Sequence, residues 1–292
     1  MANSTGHSRF HNVRGISYHV REWGDARDPA IFLLHGWMDV SASFQFLVES
    51  FAHTWHVVAP DWRGFGLSEW AQDGYWFPDY LADLDAILNI YSEAAPAKLV
   101  GHSLGGIVAC AYAGTRPERV AAVVSLEGFG LPRMTPEEIP GRVAQWLHEV
   151  AHPRGFGSYR SFDEVVLRLK QNNPRLGDEK AQFLARHWAK QLDSGEVVLA
   201  ADPRHKRISP IPHRLEDAIA CWKRVAAPVL WVSGDGSHIR AWLKDTPEEY
   251  AERTRAFANF SEASVADAGH MLHHDQPQAV ARIVEAFLLA QP

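Results

Sequence analysis

Cysteine is almost missing from this sequence: Cys110 and Cys221 are the two thiols among 292 residues. Two cannot build a disulfide scaffold, so any stable fold must rest on a buried apolar core. An excess of positive charge is missing as well. Twenty-nine Lys and Arg stand against 35 Asp and Glu, a formal net charge of −6 that excludes the basic footprint of a nucleic-acid binder. No apolar run approaches the ~20 residues of a membrane-spanning helix, and Met1 to Asn12 lacks the apolar segment of a secretory signal. On that reading the protein is cytoplasmic, no membrane partner is expected, and the sequon Asn3-Ser4-Thr5 carries no meaning. Internal repeats and low-complexity stretches are also absent.

What is present is a hydrophobic share of 46%, with unusually many histidines (16) and tryptophans (11). The length suits two domain-sized units, or one large α/β unit carrying an insertion. Short apolar runs alternate with amphipathic stretches through the first part of the chain. Ile16–Trp23, Ala30–Leu34, Trp55–Ala59, Lys98–Gly101 and Arg119–Leu126 read as strands, several apolar enough to be buried on both faces. Ser41–Ala52, Pro78–Tyr91 and Ile107–Gly114 read as helices between them. That rhythm predicts a parallel sheet with right-handed crossovers. From Leu131 to about Arg224 the chain turns Pro- and charge-rich and mostly helical, with no core strand. Strand character returns at Pro228–Val232 and around Ser264-Val265-Ala266, and Gln278–Leu289 closes the chain as a helix. The expected organisation is a core from 1–130 and 225–292, split by a helical cap over 131–224.

Chemistry concentrates at Gly101-His102-Ser103-Leu104-Gly105, a G-x-S-x-G between a strand and a small-residue helix. A serine there sits on a tight turn that projects its hydroxyl above the sheet edge, beside the positive end of a helix. Acyl transfer needs two donors for the developing oxyanion. The backbone N–H of Leu104 would supply one, and that of Trp37, in the turn His35-Gly36-Trp37, the other. Among the histidines, His270 follows the last strand and so shares the carboxyl edge of the sheet with Ser103, which makes it the expected base. His273 and His274 are expected to face solvent on the next turn, and His102 must point away from Ser103. No Cys/His spacing suits zinc, and no metal is expected.

These stretches together resemble the α/β-hydrolase superfamily over nearly the whole chain. The matching segments are Leu33-Leu34-His35-Gly36-Trp37, Pro60-Asp61-Trp62-Arg63-Gly64-Phe65-Gly66-Leu67-Ser68, Gly101-His102-Ser103-Leu104-Gly105-Gly106 and Ala268-Gly269-His270. The resemblance implies a mostly parallel eight-stranded sheet, a helical cap, a Ser–acid–His triad in which the histidine comes last, and no cofactor. The acid departs from the commonest pattern, which ends the strand equivalent to Pro228–Val232 in Gly-x-x-Asp. Here Gly234 is followed three residues later by Ser237. Glu127, after strand Arg119–Leu126, is the favoured acid, similar in placement to some haloalkane dehalogenases, and Asp235 is the alternative. Those dehalogenases carry Asp at the position of Ser103, which argues against halide displacement. Asp61 and Arg63 are expected to organise their loop.

The tryptophans suggest an apolar cleft between cap and core, with His35, Gly36, Phe129, Met134, Trp146 and Trp188 expected to line it. The activity expected is that of a serine hydrolase of the carboxylesterase kind, acting through an acyl-enzyme on a small, largely apolar ester-like substrate. A C–C bond hydrolase for ring-cleavage products and a hydrolase-like ligand receptor with little turnover are the alternatives.

Overall fold

Apolar residues at every position, rather than every second one, decide which segments lie at the centre of the fold. The structure, a computed structural model, describes residues 6–291, which leaves the sequon at 3–5 outside the described residues. In chain order the strands are β1 (His7–Val13), β2 (Ile16–Trp23), β3 (Ala30–Leu34), β4 (His56–Pro60), β5 (Ala97–His102), β6 (Val120–Leu126), β7 (Ala189–Gln191), β8 (Val197–Leu199), β9 (Val229–Gly234) and β10 (Phe260–Val265). Eight of them form one sheet in the order β1-β2-β4-β3-β5-β6-β9-β10. The β1–β2 hairpin and the β2–β4 pair are antiparallel, and every pair from β4 to β10 is parallel.

Alternate residues of the central strands feed two separate cores. Leu99 and Val123 face one side, against Leu84 and Ile87 of helix Phe77–Tyr91 and Val108 of helix Leu104–Thr115. Val100 and Val124 face the other, against Leu47 and against Val280 and Val284 of helix Pro277–Leu289. Burial on both faces is what covering helices on a parallel sheet require. None of the described helices is long and apolar enough to cross a membrane.

The expected strands and helices appear, with four differences. β1 had no counterpart in the sequence reading, because an exposed edge strand shows no apolar period; six of its seven residues are exposed or half-buried. The helix expected over Ser41–Ala52 is only a 3₁₀ turn, Ser41–Phe44, and one helical turn, Gln45–Val48. It stops because the buried carboxylate of Glu285 draws the backbone down, accepting from the N–H groups of Ala52 and His53 at 2.9 Å each. Third, the mostly helical segment between β6 and β9 also carries a short hairpin, outside the main sheet, that the sequence reading did not include. Beside helices Ile139–Ala151, Phe162–Asn172 and Asp178–Trp188 it folds the hairpin β7–β8. Finally, helix Leu215–Trp222 buries Leu215, Ile219 and Trp222 in the same cluster as helix Leu104–Thr115, so on packing it sits with the core.

The rest of the insertion has its own apolar cluster, built by Val165, Leu169, Leu176, Ala181, Leu184, Ala185 and Val197. Backbone hydrogen bonds tie it to the loop after β4: Gly66 N–H donates to Ala200 O at 2.7 Å and Asp202 N–H to Gly64 O at 2.8 Å. That loop is organised by Asp61 and Arg63. Buried Asp61 accepts from His19 Nδ1, Ser41 N–H and Leu67 N–H, and these donors hold its carboxyl below the usual range against the opposing cost of burial. Arg63 forks onto buried Asp83.

Backbones approach closely where β5 turns into helix Leu104–Thr115. A Cβ on Gly105 would lie 2.0 Å from Leu34 O, and one on Gly101 would lie 2.3 Å from the carbonyl carbon of Gly105. Neither obstacle is a flexible side chain. Gly105→Ala is therefore expected to cost about 3 kcal/mol or more in chemical denaturation. A variant within about 1 kcal/mol of the parent would show that β3 and this helix can separate.

Candidate active site

Five turns at the carboxyl edge of the sheet meet around Ser103. This residue stands between the end of β5 and helix Leu104–Thr115 with φ 51° and ψ −114°. For a non-glycine residue such a conformation costs about 1–3 kcal/mol and persists only where its surroundings enforce it. The enforcement comes from the glycine-mediated packing on either side and from Ser103 N–H, which donates to Leu126 O at 2.8 Å. Leu104 N–H opens the helix, and neither it nor Trp37 N–H donates to any acceptor among the described residues.

The turn that carries Trp37 is fixed from below. Trp62 N–H donates to His35 Nε2 at 2.8 Å, so the ring proton must lie on Nδ1, where it is given to Gly36 O at 2.7 Å. Burial holds His35 below its ordinary pKa, consistent with this neutral tautomer. His35 and Gly36 thus shape the turn and are not among the residues that wall the cavity at Ser103.

His270 follows β10, and Glu127 follows β6 with φ 58°. Glu127 Oε2 lies 3.5 Å from His270 Nδ1, longer than a hydrogen bond yet within ion-pair reach. Ligand-free sites often show such loose spacing. The carboxylate is buried and held by two further donors, Gly234 N–H on Oε1 at 2.7 Å and the Ser237 hydroxyl on Oε2. Asp235, the alternative, is exposed and turned away, accepting from Ala268 N–H at 3.3 Å. Between the two carboxylates, Glu127 is the one beside His270. Ser237, which stands where the commonest pattern has its acid, donates to that carboxylate.

Ser103 and His270 share a cavity of about 270 Å³, walled also by Trp37, Met38, Asp39, His102, Leu169, Leu176, Leu184, Trp188, His238, Met271 and His274. Of the residues expected to line the cleft, Trp188 does so. Phe129 is buried against Trp231, with ring centroids 4.9 Å apart. Met134 lines a separate surface hollow near Pro212. Trp146 lies half-buried on helix Ile139–Ala151, which contributes no fully buried residue. The actual apolar wall comes from leucines of Phe162–Trp188, whose approach to the core depends on packing that no local pattern displays.

Residues 29–277 match the family described as alpha/beta hydrolase fold. The chain belongs to that family. A serine hydrolase-like protein from Danio rerio is 28% identical over 92% of this chain and 84% of its own length. The 2-(acetamidomethylene)succinate hydrolase of Mesorhizobium japonicum is 24% identical, over 96% of this chain and 95% of its own. Among solved structures, the thioesterase domain from the curacin biosynthetic pathway superposes with a TM-score of 0.87 at 23% identity, covering 97% of this chain and all (100%) of that one.

Within this member of the family, the histidines near Ser103 depart from expectation. His273 and His274 do not face solvent; both are buried, because Leu272–Asp275 forms a short helix packed under the core before helix Pro277–Leu289 begins. His102 does point away from the Ser103 hydroxyl, donating Nε2–H to His270 O at 2.8 Å. Burial depresses His35, His102, His273 and His274, and brings His205 down to about 3. Each is therefore neutral in the fold but takes a proton near pH 6.5 once unfolded. Their contribution to stability is complete above about pH 6.5 and is lost as pH falls below it, since the unfolded chain then binds more protons. Urea-unfolding midpoints should fall steadily from about pH 7 to pH 5. A flat profile across that window would contradict this burial.

Proposed function

We propose that the protein is a serine hydrolase that cleaves a carboxylic ester or related acyl bond through an acyl-enzyme. The observation carrying this reading is the strained, partly accessible Ser103 at the start of a helix, sharing one cavity with His270, which in turn faces buried Glu127. Ser103 Oγ attacks the acyl carbon while His270 takes its proton and then delivers it to the leaving group. Glu127 accepts from His270 Nδ1, fixes its tautomer and stabilises the imidazolium. Trp37 N–H and Leu104 N–H, both without another acceptor, stabilise the oxyanion. Water, activated by His270, then releases the acyl group and restores Ser103.

The walls support an uncharged, largely apolar acyl group of modest size. Leu169, Leu176, Leu184, Met38 and Met271 dominate them, and no lysine or arginine is among the lining residues. A dicarboxylate, such as the succinate-type substrate named for the Mesorhizobium relative, would meet no cation here. Short-chain and medium-chain esters or thioesters fit better than anionic ones.

With an activated ester such as a p-nitrophenyl acyl ester, Ser103→Ala should abolish turnover and labelling by a fluorophosphonate. Full activity in that variant would remove the serine-hydrolase reading. Glu127→Gln should lower kcat by about 10³-fold or more, whereas Asp235→Asn should leave it within a few-fold. The opposite ranking would transfer the acid role to the strand β9 loop.

A further inference from the structure

The residues beneath Ser103 include an arrangement that the proposed hydrolysis does not use. Asp39, His102 and His273 are all buried, and one ligand-capable atom from each lies within 4.8 Å of the other two. The hydrogen bonds around them fix which atoms carry lone pairs. His102 Nε2 faces a carbonyl oxygen, His270 O, which can only accept, so the proton lies on Nε2 and Nδ1 is bare. The Ser43 hydroxyl donates to Asp39 Oδ2 at 2.8 Å, so its contact with His273 Nε2 at 3.3 Å must be donated by the ring. His273 Nδ1 is then bare too. Both Nδ1 atoms are buried with no hydrogen-bond partner among the described residues, and the two rings lie 4.4 Å apart. Two buried lone pairs without a donor, on residues clustered with a buried carboxylate, are costly as they stand.

We propose that Asp39, His102 and His273 form a binding site for a divalent transition-metal ion of the Zn²⁺ class, and that its occupancy inhibits the enzyme. Imidazole nitrogens with a carboxylate oxygen are the donor set such ions prefer over Mg²⁺ or Ca²⁺. Zinc bonds of about 2.0–2.2 Å require the donors to sit closer to one another than the 4.8 Å within which they lie, so binding must draw the three side chains together. Each ligand already has a support: His102 through His270 O, His273 through Ser43, and Asp39 Oδ1 through Val40 N–H and Trp188 Nε1. Asp39 and His102 also wall the cavity around Ser103, which gives the ion a way in and leaves a coordination position open to water. An ion held there sets a divalent charge and its water in the space an apolar acyl group must enter. The inhibitory effect rests on the serine-hydrolase reading; the binding site does not.

An exposed pair, His148 and His152 with ring centroids 4.5 Å apart, offers two imidazoles at the surface and is removed first so that only the buried cluster is read. Chelator-treated full-length protein carrying H148Q and H152Q should bind one equivalent of Zn²⁺ by isothermal titration calorimetry. Co²⁺ in the same protein should give the visible absorption of a low-coordinate nitrogen–oxygen site. H273Q, which keeps a donor toward Ser43, and the isosteric D39N should each weaken binding by more than about tenfold. The rise in Tm on adding Zn²⁺ should disappear in both. Hydrolysis of the activated ester should fall as the single site fills and return with EDTA. Absence of a stoichiometric site, affinity unchanged in both variants, or undiminished turnover with the site filled would each overturn the proposal. Zinc bound at these residues in a protein that hydrolyses no ester would sustain the site and sink the functional reading instead.

Discussion

Three backbones pass so close to one another at the end of β5 that side chains are excluded from the gap. Leu34 of β3, Gly101 of β5 and Gly105 of the following helix share this space, and a single methyl at Gly105 would overlap Leu34 O. The approach forces the chain through the unusual dihedrals at Ser103. It also brings the turn after β3 to the same point, where a Cβ on Gly36 would lie 2.9 Å from His102 Nδ1 and 3.3 Å from Ser103 Cβ. The two free N–H groups, the serine and the histidines beneath it owe their placement to this contact. Sheet, helices and insertion can be seen as the means of holding it.

Under the proposed hydrolase reading, the acid stands after a different strand from the one that the commonest pattern of the family uses. A carboxylate at the end of β6 is inserted between β9 and the loop after β10, where Gly234 N–H, the Ser237 hydroxyl and His270 surround it. A buried charge is tolerable only when its lone pairs are met, and here each oxygen has a hydrogen-bond donor. The loop after β9, where the commonest pattern has its acid, here supplies the Ser237 hydroxyl to the Glu127 carboxylate.

How much could be read beforehand follows from the range of the forces involved. The strands Ile31–Leu34 and Leu99–Val100 were legible because burial on both faces leaves an unbroken apolar run in the sequence itself. The positions of Ser103 on a strand–helix turn and of His270 after the last strand were legible because glycines and strand ends mark them locally. Glu127 was favoured over Asp235 only through a resemblance in placement, and its position beside His270 depends on the neighbouring strands β6 and β9. The edge strand β1 and the burial of His273 and His274 were not legible. An exposed strand has no apolar signature, and polar residues at short spacing look alike whether a helix turns them inward or outward. The cavity walls were the least legible part: tryptophan content suggested Phe129, Met134 and Trp146, yet leucines 169, 176 and 184 do the lining.

Those leucines belong to an insertion with an apolar cluster of its own, joined to the core by hydrogen bonds such as Trp188 Nε1 to Asp39 Oδ1 and by Phe46, which packs against Phe183. One wall of the cavity is thus built from residues whose packing partners lie within the insertion, and the other from residues locked to the strained turn. The two halves are separately mutable. Natural variation can reshape the leucine wall, and with it the set of groups that fit, while the turn at Ser103 stays untouched. Laboratory evolution of selectivity has its natural starting library in residues 165–199.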